Sequence, residues 1–176
     1  MNNPVILERF NSDHYELLWE IFRNKKYSDF FRRCPPTWGK KDIENFETST
    51  NSQLFLCKIE GIEPLGFAVI TNIDWYGLSS QVGLVLIDKF QDEVRGKFKF
   101  AFWCMLALAQ IVFDKMPLRR MSFKFLKRRN DIETSLQRAG LAKEGETKES
   151  CIVDGIMEDE IEYCLYKDHY DMMYKI

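Results

Sequence analysis

The chain has 176 residues, 45% apolar and 30% charged, with a formal net charge of −2. That length suits one domain with its own core, and 14 Phe, 7 Tyr and 4 Trp exclude a disordered chain. The near-neutral charge argues against specific nucleic-acid binding, and the most apolar run, Phe100 to Phe113, is too short to span a membrane.

Val5 to Phe10 alternates apolar and polar residues, as an opening strand does. Asn11-Ser12-Asp13 offers N-caps for a helix over His14 to Arg23, with Leu17, Leu18, Ile21 and Phe22 on one face. Phe30-Phe31 extends this helical region until Cys34-Pro35-Pro36 stops it, and Trp38-Gly39-Lys40-Lys41 opens a second short helix over about Lys41 to Thr48. Gln53 to Ile59 and Leu65 to Ile73 form a hairpin around Glu60-Gly61-Ile62-Glu63-Pro64. Asp74 to Ser80 is a loop carrying Trp75 and Tyr76.

Val82 to Ile87 is nearly all apolar, as a strand buried on both faces is. A polar elbow follows, then a long apolar helix to Phe113 that Pro117 ends. Arg120 to Phe125 alternates, with Met121, Phe123 and Phe125 on one face. A helix over Asp131 to Ala139 stops at Gly140, and strands over Glu146 to Val153 and Glu160 to Lys167 flank the hairpin dipeptide Asp154-Gly155. The remainder, with His169, reads as a polar tail. The order β, α, α, β, β, β, α, β, α, β, β predicts a single α/β (α+β) domain over residues 1–176, built on a mixed, mainly antiparallel sheet of about seven strands with helices on both faces.

Five cysteines (Cys34, Cys57, Cys104, Cys151 and Cys164) lack paired spacing, and Met1-Asn2-Asn3-Pro4 has no secretory character. They read as reduced thiols of a cytoplasmic protein. There is no C-x-x-C, and His14 and His169 are the only histidines, so no metal site is expected. His14 reads as a surface residue near a helix start.

The elbow carries Arg95-Gly96-Lys97 with Lys99 close behind. Unpaired N–H groups and the dipole at a helix start favour an anion, whereas cations there oppose the dipole. Three cations at that place are either a solvated charged helix start or, favoured by their opposition to the dipole, a site for an anionic ligand. A second basic cluster, Arg119-Arg120 with Lys124, Lys127, Arg128 and Arg129, is either a solvated face or a site for a phosphate or acidic partner.

Three patterns resemble the GNAT superfamily of acyl-CoA-dependent N-acyltransferases. Ser80-Gln81-Val82-Gly83-Leu84-Val85-Leu86-Ile87-Asp88 is similar to the family's fourth strand, A-E-I-G-Y-W-I-D. Arg95-Gly96-Lys97 looks like the start of its R-G-K-G-x-G/A pyrophosphate loop. Asn130 to Gly140, with Leu141-Ala142-Lys143-Glu144-Gly145, resembles the late N-x-x-S…G-F-x-x-E-G segment. The hairpin Ile152-Val153-Asp154-Gly155, running to Glu160-Ile161-Glu162-Tyr163, extends the resemblance to the ribosomal-protein N-acetyltransferase branch.

The resemblance implies acetyl-CoA as co-substrate and an amine acceptor, which is a protein N-terminus, a lysine or a small molecule. It implies direct transfer in a ternary complex, by a monomer or homodimer. Val85, Leu86, Ile87, Arg95, Gly96, Lys97, Phe98, Lys99 and Asn130 would hold the cofactor. Asn130 and Ser135 would serve near the sulfur, and Trp75 and Tyr76 would meet the acceptor. A backbone N–H near Val85 or Leu86 would hold the oxyanion. The loop's small positions are here Phe98 and Phe100, where a β-carbon and ring crowd the backbone's approach to a pyrophosphate. Gln81 stands where the family's general-base Glu is usual and takes no proton near neutral pH. Asp88, Glu93 or a water chain would then be the base. These departures define the alternative, a catalytically inactive binding or regulatory module.

Overall fold

A computed structural model describes residues 3–24, 41, 42, 44, 45, 49–61, 64–87, 97–129, 132–153 and 155–175, with the side chains of 97–99 excepted. Its strands are β1 (Val5–Arg9), β2 (Gln53–Ile59), β3 (Gly66–Asp74), β4 (Ser79–Leu86), β5 (Arg120–Leu126), β6 (Ala142–Val153) and β7 (Ile156–Tyr166). The helices are α1 (Tyr15–Arg23), α2 (Lys97–Gln110), α3 (Glu133–Arg138) and α4 (Lys167–Tyr174). The strands form one seven-stranded sheet in the order β1-β2-β3-β4-β5-β7-β6. Each pairing is antiparallel except β4 with β5. The mixed, mainly antiparallel fold expected from the sequence is the fold observed.

Alternation along the strands makes two cores. Val82 and Leu84 of β4 and Met121, Phe123 and Phe125 of β5 share one core with Phe100, Cys104 and Leu108 of α2. Val85, Phe67, Leu54 and Leu56 turn the other way, onto Leu18 and Ile21 of α1. β4 is thus covered on both faces, as its apolar run predicts.

A capping box starts the first helical segment: Asn11 Oδ1 accepts from Asp13 N at 3.0 Å, and His14 Nδ1 accepts from Asn11 N at 3.3 Å. His14 therefore serves the backbone. α2 ends in a π-turn, Ile111–Lys115. Gly140 takes φ +79° just past α3, the left-handed position that glycine fills without steric cost. Among the described residues, no helix is long and apolar enough to cross a membrane.

The structure differs from the sequence reading at the C-terminal end. β6 starts at Ala142 and β7 at Ile156, so the last hairpin is longer than expected. Its charged residues hid the alternation, because they pair with one another across the sheet face. The supposed polar tail is α4, whose Tyr170 is buried 5.2 Å from the Phe113 ring and donates to Asp114 Oδ2 at 3.0 Å. The π-turn that carries Asp114 thus anchors α4. The second helix expected over Lys41 to Thr48 is helical at 41, 42, 44 and 45. Its remaining residues, the Phe30-Phe31 stretch and Cys34 to Lys40 lie outside the described residues.

Candidate active site at the β4–β5 divergence

The parallel pairing of β4 with β5 runs from Ser79–Arg120 to Val82–Phe123 and stops there. Both strands continue, β4 to Leu86 on β3 and β5 to Leu126 on β7, so they part toward their C-terminal ends. Ligands of α/β sheets bind outside the carboxyl ends of parallel strands. α2 begins at Lys97 after β4 on this side, and α3 follows β5 here.

Strand alternation decides which backbone groups face the gap. Ile87 N donates to Leu65 O on the β3 side at 2.9 Å, and the Val85 carbonyl points at Gly66 of β3. Residues 81, 83, 85 and 87 therefore spend their backbone groups on β3, and residues 80, 82, 84 and 86 turn theirs toward β5. Consistently, Ser122 Oγ donates to Ser80 O at 3.5 Å. Beyond the Val82 rung, the amides of Leu84 and Leu86 point into the gap. Of the two amides named as oxyanion donors, Val85's faces β3 and Leu86's faces the opening. Leu84 is a further donor, found only by the register.

Side chains bordering the gap divide by face. Leu84 and Phe125 lie on the α2 face within the core, while Gly83, Val85, Lys124 and Leu126 lie on the opposite face. Gln81 is on that opposite face, and its Oε1 accepts from Asn72 Nδ2 at 3.1 Å. Asn72 has φ +50° at a bulge where β3 shifts register against β4, a conformation that Asn tolerates. Gln81 thus forms a neutral amide pair with Asn72, which takes up no proton near neutral pH.

The other candidates fall in several places. Ser135 is buried on α3, where its backbone joins the helix. Glu133, on the first turn of the same helix, accepts from the buried Tyr163 hydroxyl, which also receives Gln137 Nε2 at 3.4 Å. Burial, then the Glu133 carboxylate, pushes the Tyr163 pKa up. Tyr163 ties β7 to α3 through this hydroxyl, a contact that the sequence reading missed. Its signal was an alternating β7 register level with Phe123. Trp75 and Tyr76 occupy the β3–β4 turn, 47% and 101% exposed, where Asp74 Oδ1 accepts from the Tyr76 and Gly77 amides at 2.9 Å. They sit at the closed end of the β4–β5 pair, beside Ser79. Phe100 is buried in the α2-face core. Arg95, Gly96, Asn130, Asp88 and Glu93 lie outside the described residues, as do the side chains of Lys97, Phe98 and Lys99.

The second basic cluster meets an internal partner. Arg120 Nη2 reaches Glu144 at 2.7 Å and Glu162 at 3.1 Å, and Lys124 reaches Glu162 at 3.4 Å. Lys127 meets Glu146 at 2.5 Å, and Arg128 meets Glu158 at 3.1 Å. These cations stitch β5 to the β6–β7 hairpin. Burial alone would raise the Glu144 pKa, but hydrogen bonds from Tyr166, Arg120 and Cys164 carry it down to about 2.

The sequence matches no protein-family model and no curated protein. Solved structures do share the fold. A spermidine N-acetyltransferase from Vibrio cholerae, in complex with CoA and spermine, superposes with a TM-score of 0.84 at 13% identity, covering 96% of this chain and 99% of that one. A dodecameric structure of spermidine N-acetyltransferase from the same organism gives 0.81 at 12% identity, covering 99% of each chain. A spermidine N-acetyltransferase chimera from Vibrio cholerae and hSSAT gives 0.80 at 12% identity, covering 95% and 98%. The chain therefore has the fold of these acetyltransferases over nearly its whole length.

Proposed function

We propose that this protein is an N-acetyltransferase that moves an acetyl group from acetyl-CoA to an amine by direct transfer in a ternary complex. The observation that carries the reading is the β4–β5 divergence, which aims the Leu84 and Leu86 amides into a gap that opens beside the start of α2. Backbone donors fixed in a low-dielectric strand suit the charge that grows on an acyl oxygen under attack. They depend little on side-chain identity, so the role tolerates the departures at Gln81 and Phe98. The fold shared with a CoA-complexed acetyltransferase supports acetyl-CoA as the donor.

The start of α2, with Arg95, Gly96, Lys97 and Lys99, would hold the cofactor's phosphates, with Val85, Leu86, Ile87 and Phe98 along the acyl arm. Asn130 and Ser135 would flank the sulfur, whereas Trp75 and Tyr76, at the closed end of the β4–β5 pair, lie away from it. Gln81 orients rather than deprotonates, so a water chain or a carboxylate such as Asp88 or Glu93 would take the amine's proton. The ribosomal-protein branch, a cytoplasmic setting and a monomeric or homodimeric state complete the proposal.

Calorimetric titration with acetyl-CoA tests it, and absence of binding at millimolar cofactor overturns it. The Gln81–Asn72 amide pair favours a second reading, an inactive binding module on the same fold. Acetylation of any amine above background rejects that alternative.

A further inference from the structure

We propose that Ser122, with Thr71 as its counterpart, is a positioning residue that fixes where β4 parts from β5 and so aims the Leu84 and Leu86 amides. This rests on the acetyltransferase reading above. One rung before the parting, β3, β4, β5 and β7 bring Thr71, Gln81, Ser122 and Cys164 into register as direct neighbours. Phe67 faces the α1-side core, whereas Val82, Phe123 and Tyr163 face the α2-side core. Strand alternation therefore sets all four residues on the face away from α2, as one polar row across the sheet.

Two hydroxyls of this row reach β4 from its two edges. Ser122 Oγ, on a residue 4% exposed, donates to Ser80 O at 3.5 Å, and Thr71 Oγ1 donates to Gln81 O at 3.4 Å. Each sits where regular pairing ends. β3 shifts register against β4 just past Thr71, and β5 keeps only the Val82–Phe123 rung beyond Ser122. β4 is thus tied at two successive carbonyls, at the point from which it runs on to Leu84 and Leu86. That further stretch is paired to β3 and not to β5, so its distance from β5 is set at the pivot. Both bonds are long and individually weak. Their effect is placement, since a reacting group misplaced by about 1 Å costs up to about 100-fold in rate.

The test is difference infrared spectroscopy of the full chain with acetyl-CoA isotope-labelled at its thioester carbonyl. Amides that donate to that oxygen lower its stretching frequency on binding. Ser122→Ala is expected to lose roughly half of that lowering, with affinity for CoA, which carries no acyl oxygen, within about twofold of the parent chain. Ser122→Thr keeps the hydroxyl and restores the band. Thr71→Val, close in shape and at a half-buried position, is expected to move the band in the same direction, and Thr71→Ser restores it. The Thr71 pair carries the test if Ser122→Ala folds poorly.

A band that Ser122→Ala and Thr71→Val leave in place, whatever their melting temperatures, overturns the positioning role while the acetyltransferase stands. Acetyl-CoA binding by the parent chain without any lowering of the band overturns it as well. Absence of acetyl-CoA binding removes the enzyme reading, and this inference with it.

Discussion

Gly66 tests the backbone geometry on which the site depends. It lies on β3 opposite Leu86, behind the divergence. A β-carbon added there would stand 2.0 Å from the Val85 carbonyl oxygen and 3.0 Å from the Leu86 Cα, both backbone atoms that no rotamer change can move aside. Carbon–oxygen contacts settle near about 3.3 Å. In Gly66→Ala the two strands must therefore part by about 1 Å. That separation breaks the Ile87 N to Leu65 O bond, now 2.9 Å. A lost net hydrogen bond costs about 1 kcal/mol and overpacking about 1–3 kcal/mol. Loss of glycine's freedom in the unfolded chain returns about 0.4–1 kcal/mol. The variant should be about 1.5–3 kcal/mol less stable in urea unfolding, with Tm lower by roughly 4–10 °C for a chain of this size. Because the Leu86 amide moves with its strand, acetyl-CoA affinity should fall as well. A variant within about 0.5 kcal/mol of the parent chain, with unchanged acetyl-CoA affinity, would refute the close approach of β3 and β4.

Two further outcomes follow from the polar groups. Tyr163→Phe removes a buried hydroxyl that donates to Glu133 and should cost about 1–2 kcal/mol in urea unfolding. An unchanged midpoint would mean that Glu133 already prefers water. Glu144 has a folded-state pKa depressed to about 2, so its contribution is present above its ordinary value of 4.5 and lost as pH falls from there toward 2. The pair is partly exposed and screened, so that contribution is on the order of 1 kcal/mol or less. In thermal melts, Glu144→Gln should flatten the stability profile across that acidic window and leave its shape near neutral pH unaltered. An identical acid limb in both proteins would argue that Arg120 and Tyr166 do not hold the carboxylate.

Most of the fold was legible because its elements obey single periodicities. β5 alternates from Arg120 to Phe125, Gln53 to Ile59 emerged with the bounds read from sequence, and Asn11 and Gly140 mark helix ends by side-chain and backbone chemistry that acts locally. β6 resisted because its residues are charged on both sides of the pleat. What makes it a strand is its backbone ladder with β7 and the ion pairs of Glu144 and Glu146 with Arg120 and Lys127, which exist only after the sheet forms. α4 resisted for a related reason. Its helix is held by Tyr170 against Phe113 and Asp114, residues far away in sequence, rather than by caps or an apolar stripe of its own.

The same distinction explains what could be read of the site. Gln81 and the elbow cations are visible as letters, and the sequence located the strand that carries the donors. Which amide faces the opening is a matter of parity, set by where β3 pairs with β4 and by the rung at which β5 leaves. One residue of slip would turn the Val85 amide into the gap and Leu86's onto β3. The basic cluster shows the converse. Arg120, Lys124, Lys127 and Arg128 look like a ligand site when counted, yet the hairpin's carboxylates take them in the fold.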